Sequence, residues 1–283
     1  MADNADHAAS GLAPPASKDS GSGRASPFKF ALSLVGHMGY LLTQVMLVVV
    51  SVVFLLPLSP FPRVRRWISS WMLRGYLRFF VGIYLPACRA CRIEEVSGRI
   101  VPPSGGPVIY VANHRSSIDA ILLLSLLPPT SLVIKARHAR KPGYACLVRF
   151  FDFVPIAAGA FSRLQHSMDK CRSLLASGRS LLIFPEGMRA SFATLMPFAD
   201  FTFRLAVERG TPIVPIVLQS DLPFLNREKG SFFPRKIARF RIRFLEPVLT
   251  SPGDDPLRVA DAVTRRMAAE VTGRARPADG GGA

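Results

Sequence analysis

Acidic side chains are scarce in this chain: 19 Asp and Glu stand against 36 Lys and Arg, a formal charge of +17 over 283 residues. That imbalance points to an anionic partner, and beside an apolar segment the partner is a membrane surface or a phosphorylated substrate rather than nucleic acid. Cysteine is scarce too. Cys88, Cys91, Cys146 and Cys171 include one Cys-x-x-Cys pair, and no second pair or His-x3-His element follows at finger-like spacing. A structural zinc site lacks two of its four ligands, and a secreted disulfide framework is excluded, so reduced thiols facing the cytosol are expected. No Gly-x-Ser-x-Gly elbow is present, which removes the common serine-nucleophile architecture. Charge is absent altogether from Phe30 to Pro62, and Leu41 to Leu56 is almost purely aliphatic. Such a run is long enough to cross a bilayer core. What remains, with 49% hydrophobic residues overall, is rich enough in apolar groups to exclude wholesale disorder.

The texture divides the chain into four parts. Residues 1–28 are mostly Ala, Gly, Ser, Pro and Asp and are expected to be disordered. Residues 29–86 form a membrane anchor and interfacial helix. The apolar run starts too late to be a signal peptide and is closed by Pro57, Pro60 and Pro62 instead of a cleavage site. Arg63, Arg65 and Arg66 follow it more densely than Arg24 and Lys29 precede it, which puts the C-terminal bulk on the cytoplasmic face. From Trp67 to Leu85 a second apolar stretch carries Arg66, Ser70, Arg74 and Arg78 as a polar stripe every four residues, the pattern of an interfacial helix. Residues 87–270 alternate strands, at Pro107–Ala112, Ser131–Ile134, Ser180–Phe184, Pro212–Leu218 and Ile237–Phe244, with helices at Ile118–Leu127 and Leu164–Ser177. That alternation predicts an α/β domain, a mostly parallel central sheet flanked by helices. Residues 271–283 read as a flexible tail.

Two constellations sit where predicted strands end, the place open α/β sheets put their ligands. In Asn113-His114-Arg115-Ser116-Ser117-Ile118-Asp119, the imidazole can take a proton from a hydroxyl if a carboxylate holds its other ring nitrogen, and Asp119 is the candidate. Ser116-x-x-Asp119 also reads as a capping box opening a helix, and spacing alone serves either role. In Phe184-Pro185-Glu186-Gly187-Met188-Arg189, glycine permits a tight turn and Arg189 can grip a phosphate through two donors, with Glu186 orienting it or binding a hydroxyl. A plain turn with a surface ion pair would look the same.

Together the two segments resemble the glycerolipid acyltransferase family typified by 1-acylglycerol-3-phosphate acyltransferases, over about Gly105 to Pro247. The resemblance implies His114 as general base and Asp119 as its partner, with substrate binding by Asn113, Lys135, Glu186, Gly187 and Arg189. It also implies an acyl thioester donor, acyl-CoA or acyl carrier protein, as substrate, with no cofactor or metal, and a lysolipid acceptor in the bilayer. Val214-Pro215-Ile216 looks like the family's fourth block. Departures bear on the acceptor. Ala158 stands where the second block usually carries an arginine, with Arg163 nearby as a replacement; Met188 replaces the usual threonine; and Phe198-Ala199-Asp200-Phe201 stands where Phe-Lys-x-Gly is common, losing the lysine and acquiring Asp200. These leave open a non-phosphate acceptor, a polyene-type or amino-acid lipid, or a non-catalytic lipid-binding protein. The basic stretch Arg227 to Arg243, interleaved with Phe232, Phe233 and Phe240, reads as a membrane rim, a dock for an acidic donor, or a solvated strand face. His138 and His166 lack a motif and read as structural or solvated.

Overall fold

The structure is a computed structural model that describes residues 27–101, 105–156, 161–189, 195–222, 224–225 and 237–273. Among them seven strands form one sheet: β1 Cys91–Ser97, β2 Ile109–Ala112, β3 Thr130–Lys135, β4 Val154–Ile156, β5 Ser180–Ile183, β6 Ile213–Ser220 and β7 Ala238–Phe244. Their order is β1-β7-β6-β2-β5-β3-β4. Only β6 and β7 run antiparallel; every other pair is parallel, as the alternation of strands and helices predicts.

The central strands are buried on both faces, which parallel sheets require. Successive side chains alternate between two cores: Tyr110 and Ala112 point to one, Ile109 and Val111 to the other. The second core is covered by helices α7 (Phe161–Ala176), α8 (Phe201–Arg209) and α9 (Pro256–Gly273) through Leu174, Phe203, Val263 and Met267. Gly210 ends α8 with φ +59, the left-handed conformation that a side chain would resist. The first core is covered by α4 (Asp119–Leu126), α6 (Pro142–Phe150) and the N-terminal helices.

Those N-terminal helices are α1 (Pro27–Leu55) and α2 (Pro62–Phe79), the latter continuing through a π-helical turn, Phe80–Tyr84, into α3 (Leu85–Ala87). They pack as an antiparallel hairpin, since partners descend α1 as they ascend α2: Tyr84 Oη donates to Gly36 O, Tyr40 packs on Phe80, and Gln44 Nε2 donates to Tyr76 Oη. In α1 the window Met38–Leu55 has a mean hydropathy of 2.2 and is 11% buried, long and apolar enough to cross a membrane. The second helix is more than interfacial. Leu73 and Leu77 of α2, with Phe80 and Val81, sit in the sheet's first core, so anchor and catalytic region share one packing unit. The polar stripe also turns inward where it begins. Arg66 Nε lies 3.4 Å from Asp152 Oδ2, and Ser70 accepts a hydrogen bond from Arg179 at 3.0 Å. Residues 1–26 and 274–283, expected to lack structure, lie outside the described residues; Pro27 and Phe28 already belong to α1, and α9 runs on to Gly273.

Candidate active site

The end of β2 delivers the first constellation. Asn113 is fully buried, its amide oxygen accepting from Leu218 N at 2.7 Å and its amide nitrogen donating to Leu218 O at 3.0 Å. Both functional groups are therefore engaged with β6, and Asn113 clasps the strand end beneath the site.

His114 Nδ1 lies 3.0 Å from Asp119 Oδ2. The same oxygen accepts the backbone amides of Arg115 and Ser116, each at 2.7 Å. Those two amides can only donate, so Oδ2 is an acceptor, and the shared geometry is that of an imidazole donating Nδ1–H to a fixed carboxylate. Nε2 is left as the basic nitrogen. Asp119 is 1% exposed and the His114 side chain 23%, so the acid is sealed and the imidazole reaches solvent. Phe184 packs against the ring at a centroid distance of 4.5 Å. α4 begins at Asp119 with Ile118 as its N-cap and no side-chain cap bond, while Ser116 Oγ accepts from Ile118 N and donates to Phe224 O.

The second constellation folds over the first from the end of β5. Glu186 does not orient Arg189. One of its oxygens accepts His114 N at 2.8 Å and the other accepts Met196 N at 3.0 Å, in a nearly buried position. This carboxylate is a latch between the two motifs. Burial raises its pKa, opposed by the two amides, by His114 and by Arg115. Arg115 is half-buried with burial lowering its pKa, and Glu186 and Asp119 act against that shift. Gly187, exposed with φ +62, makes the turn after Glu186, and a methyl placed there would lie 3.9 Å from Lys135 Cε. Arg189 Nη1 donates to Ser117 Oγ at 2.7 Å and to Leu225 O at 2.9 Å. Lys135, Gly187 and Arg189 thus gather beside the His114 motif.

Three contributors escaped the sequence. Leu225, at φ +49, presents a carbonyl that also receives Ser117 N, so a strained backbone position helps the Ser117 hydroxyl to fix Arg189. Ser117 links Arg189 to the imidazole's loop. His138, on α5 (Ala136–Ala139), has its pKa lowered by burial and then by Arg137, Lys141, Lys135 and Arg189, so it stands in the positive field of the site. The Arg163 side chain and Ala158 lie outside the described residues. Asp200 is exposed at the start of α8 and makes no ion pair among the described residues. Of the basic stretch, Arg239 and Arg241 pair with Glu94, and Arg243 with Glu270, on a strand whose Phe240, Ile242 and Phe244 point inward. That part is a solvated, charge-matched face; Arg227, Lys229, Phe232, Phe233, Arg235 and Lys236 lie outside the described residues.

A sequence model described as Acyltransferase matches residues 93–219, which reach from within β1 into β6 and hold both motifs. That stretch of the chain is similar to the acyltransferase family. It is 30% identical over 182 residues to the 1-acyl-sn-glycerol-3-phosphate acyltransferase alpha of Mus musculus, covering 62% of each chain. To the human enzyme of that name it is 27% identical over 244 residues, 76% of this chain and 84% of the relative. The chain spans about three-fifths of the first relatives it matches, 62% and 61% of the Mus musculus and Ovis aries proteins. The crystal structure of the 1-acyl-sn-glycerophosphate acyltransferase PlsC from Thermotoga maritima superposes with a TM-score of 0.62 at 18% identity, over 86% of this chain and all of that one, a likeness of fold. The fold is thus shared with a solved structure over most of this chain.

Proposed function

We propose that this acyltransferase moves an acyl chain from a thioester donor, acyl-CoA or acyl carrier protein, to the hydroxyl of a lysophospholipid such as 1-acylglycerol-3-phosphate, at a membrane and on its cytoplasmic face. His114 Nε2 takes the hydroxyl proton as the oxygen attacks the thioester carbonyl. The new C–O bond forms, the C–S bond breaks, and the imidazolium returns its proton to the departing thiolate. Asp119 stabilises the imidazolium and fixes its tautomer. No acyl-enzyme and no cofactor enter the step.

The observation that carries this reading is the single carboxylate oxygen of Asp119 at 3.0 Å from Nδ1, immobilised by two backbone amides. A non-catalytic lipid binder has no need of an imidazole so held and left accessible. The acceptor's phosphate is supported by the cations Lys135 and Arg189, gathered at the turn of Gly187 beside the His114 motif. A non-phosphate acceptor would leave those cations beside the reacting hydroxyl without a counter-charge. The anchor is supported by the exposed apolar face of α1 and the basic cluster that follows it.

The test is direct. Full-length protein in vesicles receives labelled acyl-CoA or acyl carrier protein and a panel of lysolipids, with products read by mass spectrometry. The reading expects a diacylated phospholipid from 1-acylglycerol-3-phosphate. Acylation confined to acceptors without phosphate would overturn the acceptor, and no product from any pair would overturn the enzyme.

A further inference from the structure

The α1–α2 hairpin is tightly closed at both ends and open between. At one end Tyr40, Phe80 and Tyr84 stack between the helices, with ring centroids 5.1 to 5.7 Å apart. At the other, Ser51 and Leu55 are fully buried, Ser51 against Cys146 of α6. Between them lies a groove of about 500 Å³ walled by Leu42, Met46 and Val50 of α1 and by Trp71, Gly75 and Phe79 of α2. Gly75 opens the wall: a Cβ built there meets nothing within 4 Å.

The groove is open along a side where Leu42, Met46, Trp71 and Phe79 are themselves exposed, so the medium outside supplies its occupant. Water does not match. The polar groups at the groove, Thr43 and Tyr76, are spent in a chain in which Gln44 Nε2 donates to Tyr76 Oη, Tyr76 Oη to Thr43 Oγ1, and Thr43 Oγ1 to Tyr40 O. A headgroup finds no donors there either. The rim continues into the apolar side chains that α1 exposes, among them Leu41, Val45 and Val49, so the medium at the mouth is hydrocarbon. The volume falls in the range of a ligand pocket for one flexible chain.

We propose that this groove holds one acyl chain of a bilayer phospholipid as a fixed, non-reacting part of the anchor. The lipid fills the space between the helices, so the hairpin reaches native packing only within a bilayer. The chain is distinct from the reacting substrates, because neither His114 nor Arg189 lines the groove.

Full-length wild type, Gly75→Leu and Met46→Trp are placed in vesicles of phosphatidylcholine and phosphatidylglycerol containing acyl-chain spin-labelled phosphatidylcholine. The two substitutions fill the groove from opposite walls, and circular dichroism and flotation verify folding and membrane binding. Electron paramagnetic resonance counts the motionally restricted lipids. Wild type is expected to hold one more per chain than either filled variant, and excess acyl-CoA is expected to leave that lipid in place. Equal counts in wild type and a folded, membrane-bound variant would overturn the proposal, as would displacement by acyl-CoA, which would make the groove a substrate site. Neither readout uses turnover, so the proposal stands or falls apart from the transferase reading.

Discussion

Glu186 illustrates how a motif residue can serve a reaction without touching it. Its two oxygens hold two backbone amides, one of them the amide of His114 itself. Glu186→Gln retains one acceptor and turns an NH₂ group toward the other amide, a mismatch of about 1–3 kcal/mol, partly offset because no charge is then buried. A lower melting temperature and a lower kcat at unchanged acceptor KM are expected. Arg189→Ala, in contrast, is expected to raise the acceptor KM by one to two orders of magnitude, about 1.4 kcal/mol per tenfold, with less effect on melting. Steady-state kinetics with calorimetry separates the two. His138 supplies a pH readout. Its folded pKa lies below the ordinary 6.5, so the unfolded chain binds the extra proton and stability falls as the pH drops through and below that value. Filling the site with a phosphate dianion reverses the local field, and the His138 titration followed by NMR is expected to move to higher pH when 1-acylglycerol-3-phosphate is added.

At the scale of elements, the joint between anchor and sheet is ionic. Asp152 Oδ2 sits 3.4 Å from Arg66 Nε of α2 and 3.9 Å from Arg179, which also donates to Ser70 and Ser131. Asp152 has φ +57, a conformation asparagine tolerates equally, so Asp152→Asn alters charge and little else. With Arg179 buried, losing its countercharge is expected to cost about 3 kcal/mol, read as a lower melting temperature in detergent. None of this was legible in the sequence, where Asp152 has no periodic partner and the Arg66 stripe reads as facing headgroups. What the sequence does reveal are elements whose own pattern suffices: the aliphatic runs of β2, β5 and β6, and the two loops that follow β2 and β5. Edge strands β1 and β4 are harder. The first breaks its alternation at Glu94-Glu95, where its register against β7 shifts and Val96 is left exposed, and the second is three residues with Pro155 in the middle. The motifs name Asn113 and Glu186, but their partners are backbone amides and carbonyls far along the chain, which side-chain chemistry cannot foretell.

For the whole molecule, the +17 charge and the exposed face of α1 act together. Binding to anionic vesicles is expected to weaken as salt rises past about 0.15 M, where the Debye length is near 8 Å, and to persist in part through the apolar helix. Val49→Arg in α1 is expected to cost about 2.5–3.5 kcal/mol of insertion and to shift the protein out of the floated fraction at high salt. Site chemistry and membrane seat are then separable, since such a variant keeps the His114 loop intact and should still acylate a detergent-dispersed acceptor. Everything functional rests on the imidazole at position 114. The measurement that tests it most directly is the single-turnover rate of acyl transfer to 1-acylglycerol-3-phosphate by His114→Ala in vesicles, beside wild type. A loss of about 10²- to 10⁴-fold with folding and acceptor binding unchanged is the predicted result, and a variant that transfers at the wild-type rate would contradict the account.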